Sequence, residues 1–511
     1  MVSSDRRGAA RKYLEDLRVA VVQGEHSYSN QAPFNPQCLY PEYHFPEEVG
    51  SELNPAYEAV RRCFELLQLD PQNLCSSRWN PLLGVVKPGE TVVIKPNFVL
   101  SAHSEGGNLF SIITHPSVIR AIVDYVYKAL GGEGKILVAD APQMDCNFSE
   151  LLEKTDLPSI QDLYWRKRKF EIDILDLRDF WLDSKAGDPA AFVARRKPLS
   201  GDPLGSVAIN LANRSEFYGL KNNDKFYGAD YNRDETIAHH SGEVQEYMVS
   251  RTILSADSLV LVPKLKVHKK VGVTLNAKGM VGINTNKNYI VHYTLGPSEQ
   301  GGDQFPPHVL TGNDQLIIHT QRFLNDLLLA KKSPILDTLY AAIVRCYRKL
   351  LKPVIGPVKK ETMILDGGNW YGNDSAWRMV SDLMKIAIYA DKNGTLQELP
   401  QRKILSVIDG ITGGEGNGPL TPTENKAGVV IAGFNPLAVD IVGTRLMGFN
   451  WQNLKWIENL LGNKYFRFYI DGVSDIRIVS NVPEFSAMFC TNNRLLDFTP
   501  HPGWQGHIQV I

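Results

Sequence analysis

Residues 258–282 read SLVLVPKLKVHKKVGVTLNAKGMVG, an apolar run that passes directly into five lysines and one histidine. Leu259, Val260, Leu261, Val262 and Pro263 have the unbroken apolar character of a strand covered on both faces, as in a parallel sheet. Lys264, Lys266, His268, Lys269 and Lys270 follow where that strand should end. In open α/β sheets ligands bind outside those ends. Alternation along an extended chain puts Lys264, Lys266 and His268 on one face and leaves Lys269 and Lys270 to solvent. The chain then turns through Gly272 to Thr274, Asn276 and Lys278. A lysine among small neutral residues needs an anion, a hydrogen-bonded partner or a depressed pKa. His268 and Lys278 are therefore the first catalytic candidates, with Lys266, Thr274 and Asn276 expected to contact substrate.

Working outward, further strands are expected at 19–23, 91–95, 135–139, 172–177, 403–408 and 429–432. Between the second and third of these lies a helical pattern from Pro116 with a Gly131-Gly132 stop, which makes a βαβ unit. The fold class is α/β: a largely parallel sheet with helices on both faces and insertions over the strand C-terminal ends. The chain divides into an N-terminal segment (1–85), a first α/β half (86–295), a loop and helical excursion (296–360), and a second half with a tail (361–511). Residues 184–202 look like a loop. Residues 324–351 look helical and amphipathic, carrying Lys331, Lys332, Arg345, Arg348 and Lys349.

Other strand ends carry chemistry too. Lys95 and Asn97 flank Pro96, a cation and an amide suited to a carboxylate or phosphate. Thr114-His115-Pro116 opens a helix, whose free N–H groups favour an anion and keep His115 neutral, so His115 joins the catalytic candidates. The stretch 413–419, GGEGNGP, reads equally as a glycine-rich anion loop through Gly416 and Gly418 or as a bare turn. Asp409 and Glu415 there, with His292, are candidate ligands for a divalent metal. Trp370, Asn373, Asp374 and Arg378 form an aromatic, amide-rich loop able to stack a sugar or base. The cofactor itself stays open.

Composition narrows the classes. The 511 residues are 43% hydrophobic and 22% charged, with a net charge of −1, which argues against a general nucleic-acid binder. No signal-peptide core and no run of about 18 apolar residues appears, so a cytoplasmic protein without a membrane span is expected. The six cysteines (38, 63, 75, 146, 346 and 490) include no C-x-x-C pair, which disfavours an iron–sulfur cluster and a disulfide framework. The expected partner is a small anionic metabolite, and oligomerisation is left open.

Lys95-Pro96-Asn97, Thr114-His115-Pro116-Ser117, Pro263 to His268, Gly272 to Leu275, Lys278, Asp409-Gly410, Gly416 to Pro419 and Asn435 to Asp440 run in an order that resembles the family called domain of unknown function 362 (DUF362). Many members carry ferredoxin-like cysteines, which this chain lacks. The variant Gly368 to Asp374 with Trp377-Arg378 is similar to a subgroup found beside polysaccharide biosynthesis genes, implying a role in surface polysaccharide synthesis. A fainter resemblance links His268, Gly272 and Lys278 to the lactate racemase family, whose nickel-pincer nucleotide is tethered to a lysine. His292 and His115 stand roughly where that family has further histidines, although Asn276-Ala277 replaces its double glycine. Histidine, lysine and carboxylate gathered at these strand ends suit an enzyme doing acid/base chemistry on a phosphorylated or carboxylated metabolite. The alternatives are a nickel-pincer-like racemase or epimerase and a non-catalytic metabolite-binding protein.

Overall fold

The computed structural model describes residues 4–25, 27–182, 196–229, 233–310, 312–329, 333–351 and 358–510. Its centre is a mixed sheet of eleven strands among the described residues. They are β1 (Arg18–Gln23), β2 (Thr91–Pro96), β3 (Lys135–Asp140), β4 (Ile172–Asp176), β5 (Ser258–Val262), β6 (Lys264–His268), β7 (Gly272–Val273), β8 (Lys403–Glu415), β9 (Thr423–Asn425), β10 (Val429–Gly433) and β11 (Arg477–Ser480). The spatial order along the main path is β11-β1-β10-β8-β5-β2-β3-β4. Neighbours run parallel except at β10, which is antiparallel to both β1 and β8.

Alternation within each strand splits the apolar residues between two cores. Val19, Val93, Leu137, Leu259, Ile408 and Ile431 face one side; Ala20, Val92, Val138, Val260, Val407 and Val430 face the other. Helices α1 (Pro55–Leu66) and α2 (Pro116–Leu130) fill the second side. The first side is filled by α3 (Leu275–Gly279), α6 (Ala376–Tyr389) and α7 (Pro436–Leu446). Between α3 and α6 come α4 (Asn313–Leu324) and α5 (Pro334–Cys346). Among the described residues no helix is long and apolar enough to cross a membrane.

The seven expected strands are all present, and three findings go beyond them. First, the lysines after Pro263 do not leave the sheet. They form β6, which pairs with the far end of β8 through Lys264↔Asp409 and Lys266↔Gly414. Leu265 and Val267 enter the core and so hold the alternate polar residues in register. Second, Gly413, Gly414 and Glu415 are not a loop but the end of β8, paired with β9. Glycine is needed there because a Cβ on Gly413 would stand 2.5 Å from the Phe498 ring and one on Gly414 2.5 Å from the Ser111 carbonyl. Third, β11 near the C-terminus is absent from the expected set.

Of the four segments expected from the sequence, 1–85, 86–295 and 361–511 contribute strands to this one sheet, with β1 between β10 and β11, and the described residues of 296–360 contribute none. Of the loop expected at 184–202, residues 184–195 lie outside the described residues, while Arg196–Pro198 pairs with Phe180–Leu182. Lys331 and Lys332 also lie outside them.

Candidate functional site

The parallel strands β2, β3 and β5 deliver their C-terminal ends to one side of the molecule, and a cavity of about 310 Å³ opens there. Asn97 to Val99 after β2, Asp140 to Asp145 after β3, the β6–β7 hairpin, α3 and the stretch through Lys287 to Tyr293 line it. Five lysines reach it, namely Lys266, Lys269, Lys270, Lys278 and Lys287, with His268 and His292; the carboxylates in its wall are Asp140 and Asp145.

Asp140 is already engaged. It accepts from the Lys95 ammonium at 2.8 Å and from the Phe98 N–H at 2.8 Å, so Lys95 sits in a buried ion pair at the cavity's base. Gly282 closes over that pair: a Cβ there would stand 2.0 Å from Asp140 Oδ1 and 2.6 Å from Lys95 Nζ. Gly282→Ala is expected to cost about 1–3 kcal/mol of stability by overpacking this pair. A chemical denaturation midpoint equal to that of the native protein would refute that.

The lysines crowd one another. Lys278 makes no ion pair or hydrogen bond with the described residues, and burial, followed by the neighbouring Lys95, brings its pKa down to about 8. Burial and then Lys269 bring Lys270 to about 7; its ammonium donates to the Gly367 carbonyl and lies 5.1 Å from the centre of the Tyr293 ring. Lys287 donates to the Val281 and Asn284 carbonyls at 2.7 and 2.8 Å and is brought to about 7, chiefly by burial. Lys266 donates to the Ile112 carbonyl at 2.6 Å and is held well below the usual lysine value by burial and by Lys278.

Both histidines are held neutral by burial and then by adjacent lysines. His268 Nδ1 accepts the Lys270 N–H at 3.1 Å, so in the neutral ring the proton resides on Nε2. His292 Nδ1 is buried without a partner among the described residues. The cavity therefore offers one imidazole whose free nitrogen is a donor and a second with an unpartnered nitrogen. Asn97 Oδ1, Thr274 Oγ1 and Asp145 Oδ1 are likewise buried in residues of the wall and unpartnered among the described residues. Buried polar atoms are normally paired with protein or water, and four without a protein partner among the described residues gather in this wall.

Of the residues expected from the sequence, Asn97, Lys266, His268, Thr274, Lys278 and His292 are brought together here. Lys270 and Lys269 line the cavity rather than solvent, because the hairpin turn folds them back over it. Lys264 instead pairs with Asp409 at 2.9 Å beneath β6, in a buried network with Tyr28. His115 belongs to that network and does not line the cavity: its Nδ1 caps α2 by accepting the Ser117 N–H at 3.0 Å, and its ring stacks on Tyr28 at 4.0 Å.

Asn276 is saturated by Asp440, Pro436 and Ser406. Through the N–H groups of Asn276 and Ala277, Asp440 fixes the start of α3 and so positions Lys278. Gly418 packs on the Val267 carbonyl, and Gly416 turns the chain with φ +70° before the cavity-lining Pro419.

The 370–378 loop lies off the cavity. Trp370 is buried with its N–H on the Asp303 carbonyl, and Asn373 spends its side chain on the Gly368 and His292 carbonyls and the first N–H groups before α6. Asp374 pairs with Arg378 and Lys455 at the surface. Glu415 accepts from Asn425 and the Thr499 N–H. His292, Asp409 and Glu415 therefore do not assemble, and among the described residues no group of three His, Cys, Asp or Glu side chains could hold a metal ion. Of the racemase-like trio, His268 and Lys278 share the cavity, but Gly272 packs away from it against Leu454 and Ile508.

Sequence reasoning misses Lys287, Asp140 and Asp145. For Asp140 and Asp145 a signal exists, since both follow β3 at its C-terminal end, the kind of position that marks Asn97 after β2. Lys287 lies in a stretch without periodicity.

No curated protein and no solved structure matches the chain. A family model described as domain of unknown function (DUF362) matches residues 92–163 and 194–445, which include the strand ends and nearly every residue of the cavity wall. The chain belongs to the DUF362 family.

Proposed function

We propose that the cavity binds a small phosphorylated or carboxylated metabolite and moves a proton on it. The observation that carries this reading is the excess of cations: five lysines share a cavity with two carboxylates, one of which is already paired to Lys95, and Lys278 has no counter-ion of its own among the described residues. An anion there would satisfy Lys278 and relieve the repulsion among its neighbours. His292 Nδ1 is the proton acceptor and His268 Nε2–H a donor to the ligand. Lys278, titrating near neutrality, can serve as a second acid or base.

The test begins with native and denaturing mass spectra of protein purified from its own organism. A mass present only in the native spectrum would identify the bound anion. With that compound, His292→Asn and His268→Asn are expected to retain binding within about threefold while conversion falls about 100- to 10,000-fold. Unchanged conversion would remove the proton-transfer role. Binding with no conversion by the native protein would make it a metabolite-binding protein. Extra mass that survives denaturation on Lys278 would instead support a tethered cofactor.

A further inference from the structure

Residues 313–363 differ from the rest of the chain in charge. The whole protein carries −1, yet this stretch holds nine lysines and arginines (Arg322, Lys331, Lys332, Arg345, Arg348, Lys349, Lys352, Lys359 and Lys360) against four acids, Asp314, Asp326, Asp337 and Glu361. Helices α4 and α5 pack on one another through Leu328 and Tyr340, with Leu324, Leu336, Ile343 and Val344 around them. That contact uses only their inner faces. On the outer side of α4 and its continuation, Leu316, Phe323 and Leu327 are exposed at spacings of seven and four, and α5 exposes Ile335, Leu339 and, just beyond its end, Leu350. Phe323 is 64% exposed and Ile335 79%. The root of the pair is firm: Arg322 pairs with Asp366 at 3.1 Å and lies over the rings of Tyr227 and Tyr293, and Arg233 pairs with Asp326 at 2.9 Å.

A large apolar surface left uncovered marks an interaction site. We propose that the α4–α5 pair docks on the surface of a bilayer containing anionic lipid, its outer apolar residues entering the headgroup region while the exposed Arg345, Lys349, Lys359 and Lys360 meet the lipid phosphates. Exposed apolar side chains on helices of 12 and 13 residues, with the exposed Arg345 and Lys349 beside those of α5, are the pattern of an element that lies in the interface plane rather than spanning. The charge selects this occupant over a second copy of the chain, because self-association through this face would bring like charges together. Tyr293 belongs to the cavity wall, so the docking element is rooted at the cavity.

The experiment is flotation of the full-length protein with vesicles of phosphatidylcholine alone and with one quarter phosphatidylserine. Binding is expected to the anionic vesicles at least about tenfold above the neutral ones, and to fall severalfold in 0.5 M salt. Phe323→Ser with Ile335→Ser is expected to cut it about tenfold. Arg345→Glu with Lys349→Glu tests the charge separately, leaves the apolar face intact and is expected to cut binding to a similar extent, with an unchanged thermal melt as the folding control for both variants. Absence of binding to anionic vesicles overturns the proposal, as do equal binding to neutral ones and a concentration-dependent dimer that Phe323→Ser with Ile335→Ser dissolves.

Discussion

Lys278→Met is expected to weaken sulfate binding about 30- to 1000-fold while making the ligand-free protein more stable. The two effects have one origin. In the native protein an ammonium is held in the wall of a cation-rich cavity without a counter-ion among the described residues, at a cost reflected in its pKa near 8. A tenfold change in proton affinity corresponds to about 1.4 kcal/mol, so removing this charge returns about 1–3 kcal/mol at neutral pH after allowance for partial solvent access. Methionine keeps the length and apolar stem of lysine, so packing changes little. The anion, by contrast, loses a charge-assisted bond in a desolvated site, worth about 2–4 kcal/mol. Calorimetric titration with sulfate and a thermal melt of the same preparation measure both. A variant that is less stable and binds equally well would place Lys278 in a structural role and empty the cavity of its proposed purpose.

Stability and anion affinity are expected to move in opposite directions between pH 6.5 and 9.5. The folded-state pKa values of Lys270 and Lys287 near 7 and of Lys278 near 8 lie below the unfolded value near 10.5. Below pH 7 both folded and unfolded chains hold these protons, and the folded state bears the full penalty of the buried charges. As pH rises through 7 to 8 the folded state releases protons that the unfolded chain still binds, so unfolding becomes harder until the unfolded lysines titrate near 10.5. Lys266, also depressed, acts in the same sense. The ligand-free protein should therefore melt at a higher temperature at pH 9 than at pH 6.5. The gain in stability is several kcal/mol, since each tenfold difference in proton affinity between the folded and unfolded chains contributes about 1.4 kcal/mol. Sulfate keeps its charge over this range, and its affinity should fall as the same lysines lose theirs. A melting temperature that is flat or falls over this interval would show that these lysines are not depressed.

Much of this arrangement is legible in the residues, and the remainder has physical reasons for being hidden. The apolar runs of β2, β3, β5 and β10 leave no polar alternative, and the open α/β rule then leads from their ends to Asn97, His268 and Lys278. The cluster Lys264 to His268 reads as the end of a strand because charged residues dominate it. Leu265 and Val267 at alternate positions are the counter-signal, and they keep it extended as β6. Glycines at 413 and 414 suggest a flexible loop, whereas they are small because Phe498 and the Ser111 backbone lie against the strand. Trp370 and Asn373 have the chemistry of a sugar platform, but their hydrogen-bonding groups are spent on Asp303, Gly368 and the N–H groups before α6, contacts that no local pattern announces.

The position of β1 carries a consequence for how the protein is made. Residues 18–23 leave the ribosome long before their partners in the sheet, Val429–Gly433 and Arg477–Ser480, which lie more than 400 residues downstream. Until residues 429–433 have been made, this strand has apolar side chains on both faces and unpaired backbone along both edges, the state most open to mispairing and aggregation. Closure of the sheet thus waits for residues 477–480. A nascent polypeptide of this kind calls for a chaperone that shelters this strand until residue 433 has emerged, and fragments ending before residue 429 should stay in that sheltered state.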